Sequence, residues 1–157
     1  MSTPSIDTPE QLTLESANVI VDAALAAARR SGLQPMTVVA LDAGGHVVCC
    51  KREDGSGILR FEIAFGKAWG ALGMGRSSRD LEQMSIQRPV FVTTLASAAA
   101  GRLVPVAGGV LVVSANRVVG AIGVSGDTSD ADERCAIEGI GVAGYDSIPA
   151  AAAPSAR

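Results

Sequence analysis

Few residues of this chain have side chains suited to chemistry. His46 is the only histidine in 157 residues. It follows Asp42-Ala43-Gly44-Gly45, where an imidazole could act as a general base, a metal ligand or an axial ligand to haem. The plainer reading is a solvated hairpin residue. Lys67 lies in Phe65-Gly66-Lys67-Ala68-Trp69. A lone ammonium among apolar neighbours either snorkels to solvent or faces an anion. Asp54, in Glu53-Asp54-Gly55-Ser56, is a turn carboxylate able to handle a proton. The pair Gly108-Gly109 lets a ligand approach the backbone or permits positive φ; a bulge is the alternative. Ser125 stands in Gly123-Val124-Ser125-Gly126-Asp127. That string lacks the spacing of a hydrolase nucleophile elbow, and His46 is the sole candidate base, so the reading rejects a serine hydrolase.

The acidic residues Asp127, Asp130, Asp132 and Glu133 do not follow the EF-hand pattern. Capping of a following helix explains them better than a bound cation. The three cysteines are Cys49, Cys50 and Cys135. No CxxC spacing occurs, and with one histidine a structural zinc site is not expected. An odd count in a short chain points to free thiols in a reducing compartment.

Composition narrows the classes further. Charged residues make up 18% and hydrophobic ones 48%, with net charge -3. A disordered polyelectrolyte is excluded. There is no basic footprint for nucleic acid, and aromatics at 3% supply no stacking platform. No apolar stretch is long enough to span a membrane, and the first residues do not resemble a signal peptide. The expectation is a cytoplasmic protein with no nucleic-acid or membrane partner.

The elements that must position these residues are legible from periodicity. Residues 1–11 read as a flexible leader, 12–145 as one domain, and 146–157 as a flexible tail. Leu14, Ala17, Val21, Ala24, Leu25 and Ala28 repeat at helical spacing, with Thr13 as cap and Gly32 as stop. Residues 36–42 and 46–52 form a hairpin around Ala43-Gly44-Gly45. Residues 58–75 form a helix carrying Lys67, whose Gly66, Gly70 and Gly73 mark close neighbours. A short helix follows Ser77 or Ser78 and is broken by Pro89. Strands at 104–114 and 118–124 precede a final helix starting near Ser129. Hairpins grouped between helices predict an α+β layer fold with an antiparallel sheet.

Four segments together resemble the GlcG/HbpS-like family, a haem-binding or haem-degrading type of domain also found at the C-terminus of some corrinoid adenosyltransferases. They are LTLESANVIVDAALAAARRSG, VVALDAGGHVVCCKREDGSG, IAFGKAWGALGMGRSS and VPVAGGVLVVSANRVVGAIGVSGDTSDADERCAIEGI. The resemblance implies a profilin-like fold, an antiparallel five-stranded sheet with helices on its faces, often in a symmetric homo-oligomer. It places the fifth strand in the stretch the periodicity leaves open, 85–107. Where the family has Pro-Gly-Gly this chain has Ala107-Gly108-Gly109, and Leu111 replaces a following proline. Several members lie near catabolic operons.

Two functions follow. The first is a small-ligand-binding protein, with haem or a related tetrapyrrole as the implied cofactor and His46 as its axial ligand. The second is a small enzyme, of isomerase, hydratase or deaminase type, acting on a carboxylate-bearing intermediate. There Lys67 would hold the carboxylate, Asp54 would move the proton, and Gly108, Gly109 and Ser125 would line the pocket. No metal site is expected in either.

Overall fold

The computed structural model describes residues 10–151. The chain folds as α1 (Leu14–Arg30), β1 (Thr37–Asp42), β2 (Val47–Arg52), α2 (Arg60–Met74), α3 (Ser78–Gln87), α4 (Pro89–Ala98), β3 (Gly109–Ser114), β4 (Arg117–Ser125), α5 (Ser129–Val142) and β5 (Asp146–Ile148). The strands make one antiparallel sheet in the order β2-β1-β4-β3-β5. This is the α+β architecture the sequence predicts.

Strand side chains alternate between faces, so one sheet serves two cores. Val38, Ala40, Val110, Val112, Ile122 and Val124 face α1 and α5. Val39, Leu41, Leu111 and Ala121 face α2 through Ala64, Ala68 and Ala71. Each buried Val, Leu or Ile contributes about 1.5–3 kcal/mol. A smaller cluster of Leu81, Ala99 and Leu103 seats α3 and α4 beside α2. Helix starts follow their caps: Thr13, Ser77 and Thr128 accept from Ser16, Asp80 and Ala131. Such caps are worth about 1 kcal/mol each.

Three expectations are corrected. The fifth strand is not within 85–107, where Pro89 opens α4 instead. It is Asp146–Ile148, paired with β3, so the first part of the expected tail belongs to the sheet. Residues 152–157 of that tail, and 1–9 of the leader, lie outside the described residues; Glu10 accepts from Ser114 Oγ at 2.7 Å. The strand expected from residue 104 begins at Gly109. Upstream backbone groups are satisfied elsewhere: Val104 N donates to Gly66 O, and Ala107 N to Glu82 Oε2.

Close packing explains two glycines of α2. A Cβ on Gly66 would stand 2.5 Å from Val104 Cγ2, and one on Gly70 would stand 3.0 Å from Leu103 Cγ. Gly73 differs, its nearest neighbour being Trp69 at 3.9 Å.

Candidate functional site

The candidate residues separate to opposite ends of β1. Thr37 pairs with Ser125 at one end, and Asp42 pairs with Gly120 at the other. Five residue steps of about 3.3 Å put those ends about 17 Å apart. Lys67, Gly108, Gly109 and Ser125 gather at the Thr37 end. His46 sits beyond the Asp42 end.

At the Thr37 end the polar groups answer one another. The Lys67 side chain leaves α2, passes the end of the sheet and donates from Nζ to Val124 O at 2.9 Å and Asp132 Oδ2 at 3.0 Å. It is 2% exposed and Asp132 1%, so it neither snorkels nor opens onto a cleft. Burial pushes the Lys67 ammonium below the ordinary lysine range and the Asp132 carboxyl above the ordinary carboxylate range; the charge of each partner opposes both shifts. Asp132 Oδ1 also accepts from Asp127 N at 3.0 Å.

The paired glycines make room for this crossing. Gly108 has φ +123, and a Cβ there would stand 2.8 Å from Lys67 Nζ. A Cβ on Gly109 would overlap the Lys67 carbonyl. The close approach expected of a ligand is thus made by Lys67 itself. Ser125 is fully buried, and its Oγ accepts from Arg60 Nη1 at 3.2 Å. Beside it Thr37 and Ser56 share a hydrogen bond of 2.8 Å. Asp54 is exposed on its turn. The neighbouring Glu53 is the engaged carboxylate, accepting from Met36 N at 2.7 Å and pairing with Arg29 at 2.9 Å.

The Asp42 end is open. The β1–β2 turn packs toward the C-terminal half of α2 and leaves a cleft of about 140 Å³ lined by Ala43, Gly44, Gly45, Trp69, Leu72 and Gly73. The indole Nε1 edge of Trp69 borders it, 3.0 Å from where a Gly45 Cβ would stand. His46 does not line it but stands against one lining residue: a Gly44 Cβ would be 3.0 Å from the imidazole. The His46 side chain is 82% exposed, with Nδ1 3.3 Å from Asp42 Oδ1. The same oxygen accepts from Gly44 N and His46 N. This closes a turn that fixes the histidine backbone.

Sequence reasoning missed Asp42 and the cleft role of Trp69. The signal for Asp42 was its place two residues before Gly44, the reach of an Asx turn. The thiols contribute little, because burial raises the pKa values of Cys49 and Cys50 and pushes Cys135 up to about 11. Among the described residues no group of three metal-ligating side chains occurs. No helix of the described residues is long and apolar enough to cross a membrane.

The arrangement of helices about one antiparallel sheet has counterparts. A family model described as haem degrading protein HbpS-like matches residues 12–141, and the chain belongs to this HbpS-like family. A PduOC:heme complex has the same fold at TM-score 0.80, with 23% identity over 88% of this chain and 99% of that one. Klebsiella pneumoniae protein ORFY matches at TM-score 0.79 and 23% identity, covering 90% and 97%. A double mutant of Streptomyces reticuli HbpS matches at TM-score 0.74 and 27% identity, covering 90% and 94%. No curated protein matches the chain.

Proposed function

We propose that the protein binds haem or a related tetrapyrrole at the β1–β2 turn, with His46 as the axial ligand. The observation that carries this reading is the exposed His46 imidazole, which stands beside Gly44 of the Trp69 cleft with Nδ1 3.3 Å from Asp42 Oδ1. Histidines that bind metal nearly always have a carboxylate, carbonyl or water at their other ring nitrogen, and Asp42 Oδ1 takes that place beside His46 Nδ1. The donor set therefore fits a single axial ligand to haem iron. Family membership and the fold shared with a haem complex support the same ligand class.

His46 would hold the iron through Nε2, Asp42 would orient the ring, and Trp69 and Leu72 would take apolar edge. Bound haem would supply an iron centre for binding a further ligand. The cleft, at about 140 Å³, is smaller than the ~300 Å³ or more that encloses a drug-sized ligand. Much of the macrocycle would then meet solvent or a second copy of the chain.

Self-association belongs to the same reading. Ile58, Leu59 and Val90 are 90%, 63% and 80% exposed, apolar surface of a kind that oligomers cover. Light scattering across a wide concentration range should show a homo-oligomer, and a monomer throughout would remove this part.

The small-enzyme reading finds less support, because the ammonium it needs for a carboxylate is already paired with Asp132. The deciding experiment is a haemin titration of the purified apo-protein. A stoichiometric Soret band in the native chain, lost in His46→Ala, carries the proposal. An equal band in both would move the axial ligand away from His46.

A further inference from the structure

Trp69 has a second cleft beside it. Its volume is about 220 Å³, and Trp69, Gly73 and Met74 of α2, Leu95 and Ala98 of α4, and Leu103 line it. It lies over the Leu81–Ala99–Leu103 cluster, so its floor is apolar. An apolar cavity of about 150 Å³ holds one benzene ring. The available space therefore fits a single ring with a substituent, beside an indole whose ring also carries Arg102.

A cation stands at the rim. Arg102 is exposed, yet its guanidinium is not free to wander. Its Cζ lies 4.2 Å from the Trp69 ring centroid, and its Nε donates to Ala99 O at 3.0 Å. Trp69 and Ala99 are both walls of the cleft. Arg102 has no ion-pair partner among the described residues. Stacking on an aromatic face and a fork of N–H donors are the two properties that make arginine, rather than lysine, a carboxylate receptor. Here the stack and the Nε bond are made within the chain, and the Nη groups remain.

We propose that this cleft binds a one-ring aromatic carboxylate, with the ring against Trp69 and Leu95 and the carboxylate on Arg102. The inference needs neither His46 nor iron, so it stands or falls apart from the haem reading.

The test uses apo-protein and benzoate, with benzyl alcohol (ring without charge) and acetate (charge without ring) as comparisons. The chain has one tryptophan, so emission reports on Trp69 alone. Benzoate should give a saturable change in the millimolar range or below, while both comparison molecules give none there. Arg102→Gln should weaken benzoate at least about tenfold, the worth of a hydrogen bond to a charged group. Ala98→Leu should abolish the change by filling the cleft. Circular dichroism checks its fold, and the Arg102→Gln titration decides if that variant misfolds. A linear, unsaturating response would mean collisional quenching only and would overturn the proposal. So would benzyl alcohol binding as tightly as benzoate, or Arg102→Gln leaving the benzoate curve unchanged.

Discussion

Lys67 and Trp69 are two residues apart on α2 and serve opposite ends of the sheet. Lys67 is 2% exposed, and its charge is answered by Asp132 from the opposite helical layer. Trp69 is half-buried and walls two clefts. The Thr37 end thus uses its polar residues to hold α2 and α5 across the sheet. The Asp42 end leaves His46 and an indole edge facing outward. Residue type alone would have ranked them the other way, since a buried lysine beside paired glycines is what an anion site needs. What separates the two is whether the partner is already present in the chain.

The largest expected effect tests that separation. Lys67→Met leaves the Asp132 carboxylate buried without its cation, and this should remove ~3–5 kcal/mol of stability. Adding Asp132→Asn removes the second charge and keeps an acceptor for Asp127 N, so the double variant should recover most of the loss. His46→Ala should stay within about 0.5 kcal/mol of the native chain, as an exposed substitution does. Urea midpoints at constant slope measure all three. A double variant no better than Lys67→Met would break the idea that Asp132 is what Lys67 answers.

Glycines sharpen the contrast on a smaller scale. Gly109→Ala places a methyl on the Lys67 carbonyl and forces α2 from the sheet, at about 3 kcal/mol. The same substitution at Gly73 meets only Trp69 at 3.9 Å. There the gain in helix propensity should win, stabilising by about 1 kcal/mol. Thermal unfolding of the pair should move in opposite directions; parallel shifts would mean that Gly73 is also under packing constraint.

These sites also show what was legible beforehand. The helical stripe of α1, the hairpin, the Thr13 cap and a serine cap at 77 or 78 were readable because their signals are local, whereas the Thr128 cap of α5 was not singled out. The partner of Lys67 was not, because Asp132 is 65 residues away and an acidic first turn reads as capping alone. β5 escaped because it has three residues, next to Pro149, with no period to detect. Residues 104–108 looked like strand because Val104 and Val106 run into the β-branched stretch that follows. Their backbone groups instead bond to Gly66 and Glu82, which only the fold brings near. Of the candidate site, the histidine was visible and its cleft was not, since Trp69 reaches the hairpin only once α2 lies on the sheet.

Ligand binding should divide the ends as stability does. His46→Ala should lower haemin affinity at least about tenfold, the worth of one strong bond. Asp42→Asn should lower it less, because the amide oxygen still accepts from Gly44 N and His46 N and only the carboxylate charge near Nδ1 is lost. Soret titrations of both variants rank them. Equal loss in the two would make the Asp42 turn, rather than the imidazole, the determinant.

The smallest effect concerns acid, and it lies at the sealed end. Asp127 accepts from Gln34 N at 2.9 Å and Thr128 N at 2.7 Å. These two backbone bonds, Gln34 first, hold its carboxyl below the ordinary value of 3.8. A lowered folded pKa means that the unfolded chain binds the proton first as pH falls. The stabilisation is therefore complete above the ordinary carboxyl range and lost as pH drops through the folded pKa. Asp130, bonded to Arg79, shifts the same way. Asp132 has the opposite sign, because burial raises its pKa. The total acid profile mixes these, so the difference between native chain and Asp127→Asn is the informative quantity. That difference should be constant above about pH 5 and shrink below about pH 4. Urea unfolding at stepped pH measures it. A difference that grows on acidification would mean that the Gln34 and Thr128 bonds do not favour the charged form, and that Asp127 is held by packing instead.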